Sequence, residues 1–276
     1  MKSFKQYINE KLMTFGKQAY PKFGNVVILA GGAGAGKGFQ LNNLVGIEGK
    51  TLDVDALKSL VIHSSKLSAK IKSETGQDIS KFDLRNPDNV FRLHEIINDI
   101  YHISDKTQQY LFGSILASAP DRKPNLIFDV TLKNMSKLES ITRNITQLGY
   151  PKENIHIVWV VNDIAIAKSQ NAKRDRVVPE EILMDTHEGV ALTMKKILDM
   201  GGGLKKYMDG DIYISFNKAN LDVGLEKSSA GGQYIKTANY FKVKQKGKPQ
   251  ISSDKLSDEI FNKISDYTPK IGTWEK

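Results

Sequence analysis

The chain has no cysteine, which excludes a disulfide scaffold, a thiolate nucleophile and cysteine-ligated zinc. That absence fits a cytosolic protein. No run approaches the roughly 18 apolar residues that a spanning helix needs. The longest apolar stretches, Val26 to Ala30 and Ile157 to Val161, suit buried strands instead. The N-terminus lacks the apolar core of a secretory signal. There is no H-E-x-x-H pair for zinc and no G-x-S-x-G elbow for a serine nucleophile. No internal repeat shows at a period of about 20–50 residues. What remains is 276 residues, 40% of them apolar, with a net charge of +9. That is enough for an ordinary core in one large domain or two small ones.

The basic excess is concentrated near the end. Residues 218–250 hold seven lysines against Asp222 and Glu226 alone. Lys242, Lys244, Lys246 and Lys248 alternate with other residues, so on a strand they share one face. Two readings stand: a phosphate-attracting stripe that engages nucleic acid, or an edge strand protected by lysines.

Hydrophobic periodicity divides the chain into a leader and linker (1–24), a main domain (25–217) and a basic C-terminal extension (218–276). Within 1–24, Phe4, Tyr7, Ile8 and Leu12 recur at helical spacing before Pro21 and Gly24. Five strand-like runs follow: 25–30, 51–53, 125–129, 155–161 and 211–216. Helical patterns lie between them at 37–45, 56–72, 87–118, 134–148, 164–173 and 179–200. Asn86 with Pro87 marks one helix start, and Gly149 one helix end. A last helix falls near 253–264. Strands alternating with helices predict an α/β fold, a parallel sheet with helices on both faces.

The strongest local signal is Gly31-Gly32-Ala33-Gly34-Ala35-Gly36-Lys37-Gly38, between the first strand and the first helix. Phosphates need several donors converging on one anion. Glycines can turn backbone N–H groups inward, and the helix adds the positive end of its dipole. Lys37 supplies a mobile charge for the β- and γ-phosphates. The fold expected is therefore P-loop NTPase-like, with ATP as ligand. A Walker A motif places Ser or Thr after the lysine as a magnesium ligand, and here Gly38 stands there.

Asp53 and Asp55 follow about 16 residues past Lys37, at the end of the second strand. A carboxylate there can take a proton from a hydroxyl or hold Mg2+; it can equally cap the next helix. Asp129 ends the third strand, as a group orienting Mg2+ or as a turn residue, and Thr131 follows as a hydroxyl donor. Lys173-Arg174-Asp175-Arg176 reads as a lid closing on transferring phosphate or as a solvated helix end.

The segment Gly31 to Gln40 resembles the loop of adenylate-kinase-like nucleoside monophosphate kinases. Those also carry glycine after the lysine, then Thr where this chain has Phe39. The series from 25 to 200 resembles the zeta-toxin-type kinases. By that resemblance, the Asp53-Val54-Asp55 segment supplies the base, Asp55, with Asp53 beside it at the substrate. Asp129-Val130-Thr131-Leu132-Lys133 matches the substrate and magnesium stretch, with Val130 in place of Gly and Lys133 where Arg is common. Arg174 and Arg176 match the two lid arginines across a shorter lid. The resemblance implies γ-phosphoryl transfer from ATP to a hydroxyl of a nucleotide sugar or related molecule. Nucleotide or polynucleotide kinases, and a packaged nucleotide-binding protein without catalysis, are the alternatives. The first ten residues, ending Ile8-Asn9-Glu10, resemble the capsid-targeting leader of T-even-type phage internal proteins. That implies packing in a phage head and action in the host cytoplasm.

Overall fold

The computed structural model describes residues 13–16, 21–217, 225–227, 233–235, 240–269 and 274. The leader-like first ten residues lie outside these. Strands β1 (Val26–Ala30), β2 (Lys50–Asp53), β3 (Leu126–Asp129), β4 (Ile155–Asn162) and β5 (Ile212–Asn217) form a parallel sheet. Their order is β2-β3-β1-β4-β5, and a later strand, β8 (Tyr240–Lys244), adds antiparallel beside β5. Strands β6 (Leu225–Lys227) and β7 (Gln233–Ile235) pair separately.

β1 and β4 are buried along their whole length, as the continuous apolar runs require of strands covered on both faces. Alternation still sorts the two faces. Val26, Ile28, Leu126, Phe128, Ile157, Trp159, Ile212 and Ile214 share the larger core. Helices α6 (Met135–Gln147) and α8 (Glu180–Asp199) cover that face, through Leu138, Ile141, Val190 and Met194. Val27, Leu29, Ile127, Val158, Val160 and Tyr213 form the other core with Leu44 and Val45, which follow helix α1 (Lys37–Asn43).

Between β2 and β3 the chain makes a long helical excursion: α2 (Val54–His63), α3 (Ser65–Thr75), α4 (Pro87–His94) and α5 (Ile103–Leu116). It packs an apolar cluster of its own around Val61, Ile71, Ile79, Leu93, Ile96 and Ile97. The period at 56–72 predicted one helix. Ser64 divides it, its hydroxyl accepting the Leu67 N–H as an N-cap. The long period at 87–118 is also divided. Asn86 caps its start as expected, but Glu95–Ile100 widens into a π-helical turn and His102 takes a left-handed φ of 50°. Among the described residues, no helix is long and apolar enough to cross a membrane.

The C-terminal part is not a separate packing unit. Phe241, Val243, Leu256, Phe261, Ile264 and Trp274 enter the larger core, some of them through helix α9 (Asp258–Tyr267). Trp274 lies against Trp159, ring centroids 5.6 Å apart, and donates its indole N–H to the Ala191 carbonyl.

Only two of the alternating lysines, Lys242 and Lys244, lie on a strand, and that strand is an edge of the sheet. β8 ends at Lys244, and its register with β5 shifts at Ile212/Tyr213, which breaks the alternation. Lys244 is 2% exposed and its ammonium meets the Asp209 carboxylate at 2.7 Å. Lys242 lies over the Tyr213 ring, 3.4 Å from Asp211, and Lys246 is 3.4 Å from Glu153. These cations tie the extension to the sheet.

Asp211 is the centre of that tie. It is fully buried and accepts from the N–H groups of Gly16 (2.7 Å) and Lys246 (2.9 Å). Its own N–H donates to His156 Nδ1 at 2.8 Å, so the His156 proton sits on Nε2, facing Asn25 Oδ1 at 3.2 Å. One residue therefore joins the N-terminal segment, β4, β5 and the turn after β8.

Candidate active site

The glycine loop lies where the pattern predicted, between β1 and α1. β1 is the middle strand of the parallel set, with β3 and β4 on either side, so the loop opens beyond the strands' carboxyl ends. Open parallel sheets bind ligands in that position. Gly34 (φ 73°) and Gly36 (φ 89°) take left-handed angles that side chains rarely adopt. A Cβ on Gly34 would also meet the Ala167 carbonyl oxygen at 2.5 Å.

Lys37 folds back over the loop. Its ammonium donates to the Gly31 carbonyl at 3.0 Å and stands 3.5 Å from Asp129 Oδ1. Asp129 ends β3 in register with Leu29 of β1 and Asp53 of β2. Strand alternation places Asp53 and Asp129 on the α1 face, side by side on neighbouring strands. Helix α2 begins at Val54, directly after Asp53, and carries Asp55 in its first turn. The Asp55 side chain lies outside the described residues.

The Thr131 carbonyl accepts the Gly31 N–H at 3.3 Å, which brings the 131–133 turn beside the loop. Leu132 is buried there with a left-handed φ of 54°. For a non-glycine residue this stores about 1–3 kcal/mol of strain, a feature that concentrates at functional sites. Lys133 is already engaged: its ammonium pairs with Asp185 of α8. Gly38 is exposed, and a Cβ there would meet nothing within 4 Å. We expect Gly38→Ser to leave the thermal midpoint unchanged within about 0.5 kcal/mol of stability. A calorimetric shift larger than that would mean the position is constrained by something other than space for a ligand. Phe39 is half-buried, so neither 38 nor 39 presents a hydroxyl.

Residues that local pattern did not single out hold the loop from outside. Thr186 Oγ1 accepts the Ala33 N–H at 3.1 Å, and His187 Nε2 donates to the Ala33 carbonyl at 2.8 Å. Asn162 Nδ2 donates to the Gly34 carbonyl at 3.1 Å and Asn217 Nδ2 to the Ala35 carbonyl at 3.0 Å. Asn162 and Asn217 end β4 and β5 in matching register. Burial pushes the His187 imidazole below its ordinary value. The Lys37 charge adds to that, and the Ala33 hydrogen bond opposes it. His187 is therefore neutral near pH 7. A polar residue closing an apolar parallel strand was the one sequence signal available for the two asparagines.

The arginine loop leaves helix α7 (Ile164–Ala172) and is clasped by Asn171. Asn171 Nδ2 donates to the Val178 carbonyl at 2.7 Å, and the Val178 N–H returns to Asn171 Oδ1 at 3.0 Å. The Val177 N–H donates to the Leu84 carbonyl at 3.0 Å, fastening the loop to the helical excursion. Arg174 and Arg176 are half-buried within it. The loop is thus an ordered bend between α7 and α8.

No family model and no curated protein matches the chain. Solved structures do. A chain of the AvrRxo1-ORF1:-ORF2 complex with ATP aligns at 11% identity and TM-score 0.51, over 92% of this chain and 67% of that one. The same complex with sulphate ions aligns at 12% identity and TM-score 0.45, over 91% and 65%. A chain from the PezAT chromosomal toxin-antitoxin system of the human pathogen Streptococcus pneumoniae aligns at 11% and 0.46, over 95% and 83%. The chain spans about two thirds of the AvrRxo1 chains it matches. At such identities the likeness is one of fold. The sheet, its helices and the loop after β1 make this a P-loop NTPase-like α/β fold.

Proposed function

We propose that the chain is an ATP-dependent kinase of the zeta-toxin type. It moves the γ-phosphoryl group to a hydroxyl of a nucleotide sugar or a related small molecule. One observation carries this reading: Lys37 bridges the Gly31 carbonyl and Asp129 at the mouth of a glycine loop, with Asp53 on the adjoining strand end. A structure of similar fold that is described with ATP supports the choice of donor.

In the reaction, the acceptor oxygen bonds to the γ-phosphorus as the bond to the β–γ bridging oxygen breaks. ADP leaves, and the hydroxyl proton passes to Asp55. Lys37 and the loop N–H groups hold the phosphates. Arg174 and Arg176 lie against the charge that spreads over the transferring group. Thr131 faces the acceptor; Lys133 would first exchange its Asp185 partner. The donor set suits Mg2+: Asp129 and Asp53 offer hard carboxylate oxygens, and among the described residues no three-ligand acidic or histidine cage competes. Magnesium in such sites keeps waters and takes one or two carboxylates besides the phosphates. It would neutralise charge on the transferring group. The engaged lysines of the C-terminal segment give no separate support to a polynucleotide acceptor.

The test is a product screen with γ-labelled ATP against nucleotide sugars and nucleic-acid ends. Label should move to a small-molecule hydroxyl, and Asp55→Asn should reduce transfer by about 10²-fold or more, in the range of general-base catalysis. ATP bound but never turned over would instead favour a nucleotide-binding protein without catalysis.

A further inference from the structure

Three consecutive carbonyls of the loop, those of Ala33, Gly34 and Ala35, each accept from a different side chain: His187, Asn162 and Asn217. These side chains come from helix α8 and from the ends of β4 and β5, far apart in sequence. In a trans peptide the C=O and the following N–H point in opposite directions. No cis peptide is present among the described residues. Holding a carbonyl outward therefore turns the next N–H inward. The next N–H groups are those of Gly34, Ala35 and Gly36. The Ala35 N–H closes the turn onto the Gly32 carbonyl at 3.2 Å. Those of Gly34 and Gly36 face the concave side of the loop.

We propose that His187, Asn162 and Asn217 are positioning residues that aim the Gly34 and Gly36 N–H groups at a polyphosphate. This rests on the nucleotide-binding reading above and extends it to residues outside the loop motif. Asn162 shows the priority of the arrangement. It is wholly buried, and its amide is turned so that Nδ2 reaches the Gly34 carbonyl and Gln170, while its Oδ1 has no partner. Turning the amide over would set oxygen against the Gly34 carbonyl oxygen. The donor is kept facing the loop at the expense of an unmet acceptor. His187 contributes a donor for the same reason: as a neutral ring it places its one proton on Nε2, toward Ala33. Its ring also packs on Gly32, and the Asn217 amide packs on Gly36, where a side chain on either glycine would collide.

The test is ATP affinity by titration calorimetry on the full chain, beside the thermal midpoint without ligand. Asn217→Leu keeps the volume and removes the donor; His187→Phe keeps the ring and removes the proton. Each is expected to weaken ATP binding about tenfold or more while the unliganded fold persists. Asn217→Asp adds a readout that packing alone would not move. Its carboxylate repels the Ala35 carbonyl, and its protonated form donates to it. ATP affinity of that variant should recover as pH falls, relative to the unsubstituted protein. ATP binding in Asn217→Leu and His187→Phe that equals the unsubstituted protein's would overturn the proposal. An unsubstituted protein that binds no ATP would instead remove the reading beneath it.

Discussion

Lys37→Ala is expected to lower phosphoryl transfer by about 10²–10³-fold or more, the range for losing one fixed charge-stabilising group from a site. The ammonium sits between the Gly31 carbonyl and Asp129. Without it, Asp53 and Asp129 face the incoming phosphates with no ammonium at the mouth of the loop. Stability should change little, by about 1 kcal/mol, because the aliphatic stem lies beyond the carboxyl end of β1 and not within either core. Labelled-phosphate transfer measured beside the thermal midpoint separates the two effects. Turnover within tenfold of the unsubstituted protein would show that Lys37 does not follow the transferring group.

Asp211→Ala has the opposite signature: a large loss of stability and an intact site. Removing a fully buried carboxylate strands the N–H groups of Gly16 and Lys246 and a cation at Lys242. Breaking such a buried set costs about 3–5 kcal/mol. Burial alone would raise the Asp211 carboxyl. The hydrogen bonds from the Gly16 and Lys246 N–H groups outweigh that and hold it below the ordinary carboxylate range. A depressed carboxyl stabilises the fold above its unfolded value, about 3.9, and that contribution is lost as pH falls below it. His156 adds a second acid-side loss. Burial lowers it, against the pull of Asp211, so it stays neutral when folded. Its contribution is present above the unfolded histidine value, about 6.5, and declines as pH falls from there toward its folded value. Urea midpoints should therefore drop as pH falls below about 6.5, and again below about pH 4. The second drop should shrink in Asp211→Ala, leaving the part that belongs to other depressed carboxyls such as Asp78 and Asp199. A variant that unfolds at the same urea concentration as the parent would contradict the network. The network lies at the amino ends of β4 and β5, so ATP affinity of the folded variant should hold.

The parts legible in the sequence were those set by neighbouring residues. β1, the loop and α1 follow from an apolar run, glycines and a lysine within a dozen positions. Asn86 caps a helix where it was expected, because a cap acts over three residues. Asp53 and Asp129 were recognisable as acids at strand ends, and the register shows them adjacent. What escaped depends on distant contacts. The clamp of Thr186 and His187 on Ala33 spans more than 150 residues of chain. No helical period reveals the π-helical turn at Glu95–Ile100, since apolar spacing continues through it. Of the two readings of the lysine alternation the edge strand is the one seen, since β8 ends the sheet beside β5, but only Lys242 and Lys244 of the four lie on it.

The eight residues that name the motif, Gly31 to Gly38, are not sufficient to build it. Gly32 is fitted against His187, Gly34 against Ala167 and Gly36 against Asn217, so the cradle takes shape only once segments up to β5 have docked. Closing contacts across such long stretches is entropically late work in folding. A fragment ending before residue 187 would carry the signature in its sequence and lack the receptor. On the proposed reading, affinity for ATP would measure how completely the chain has assembled.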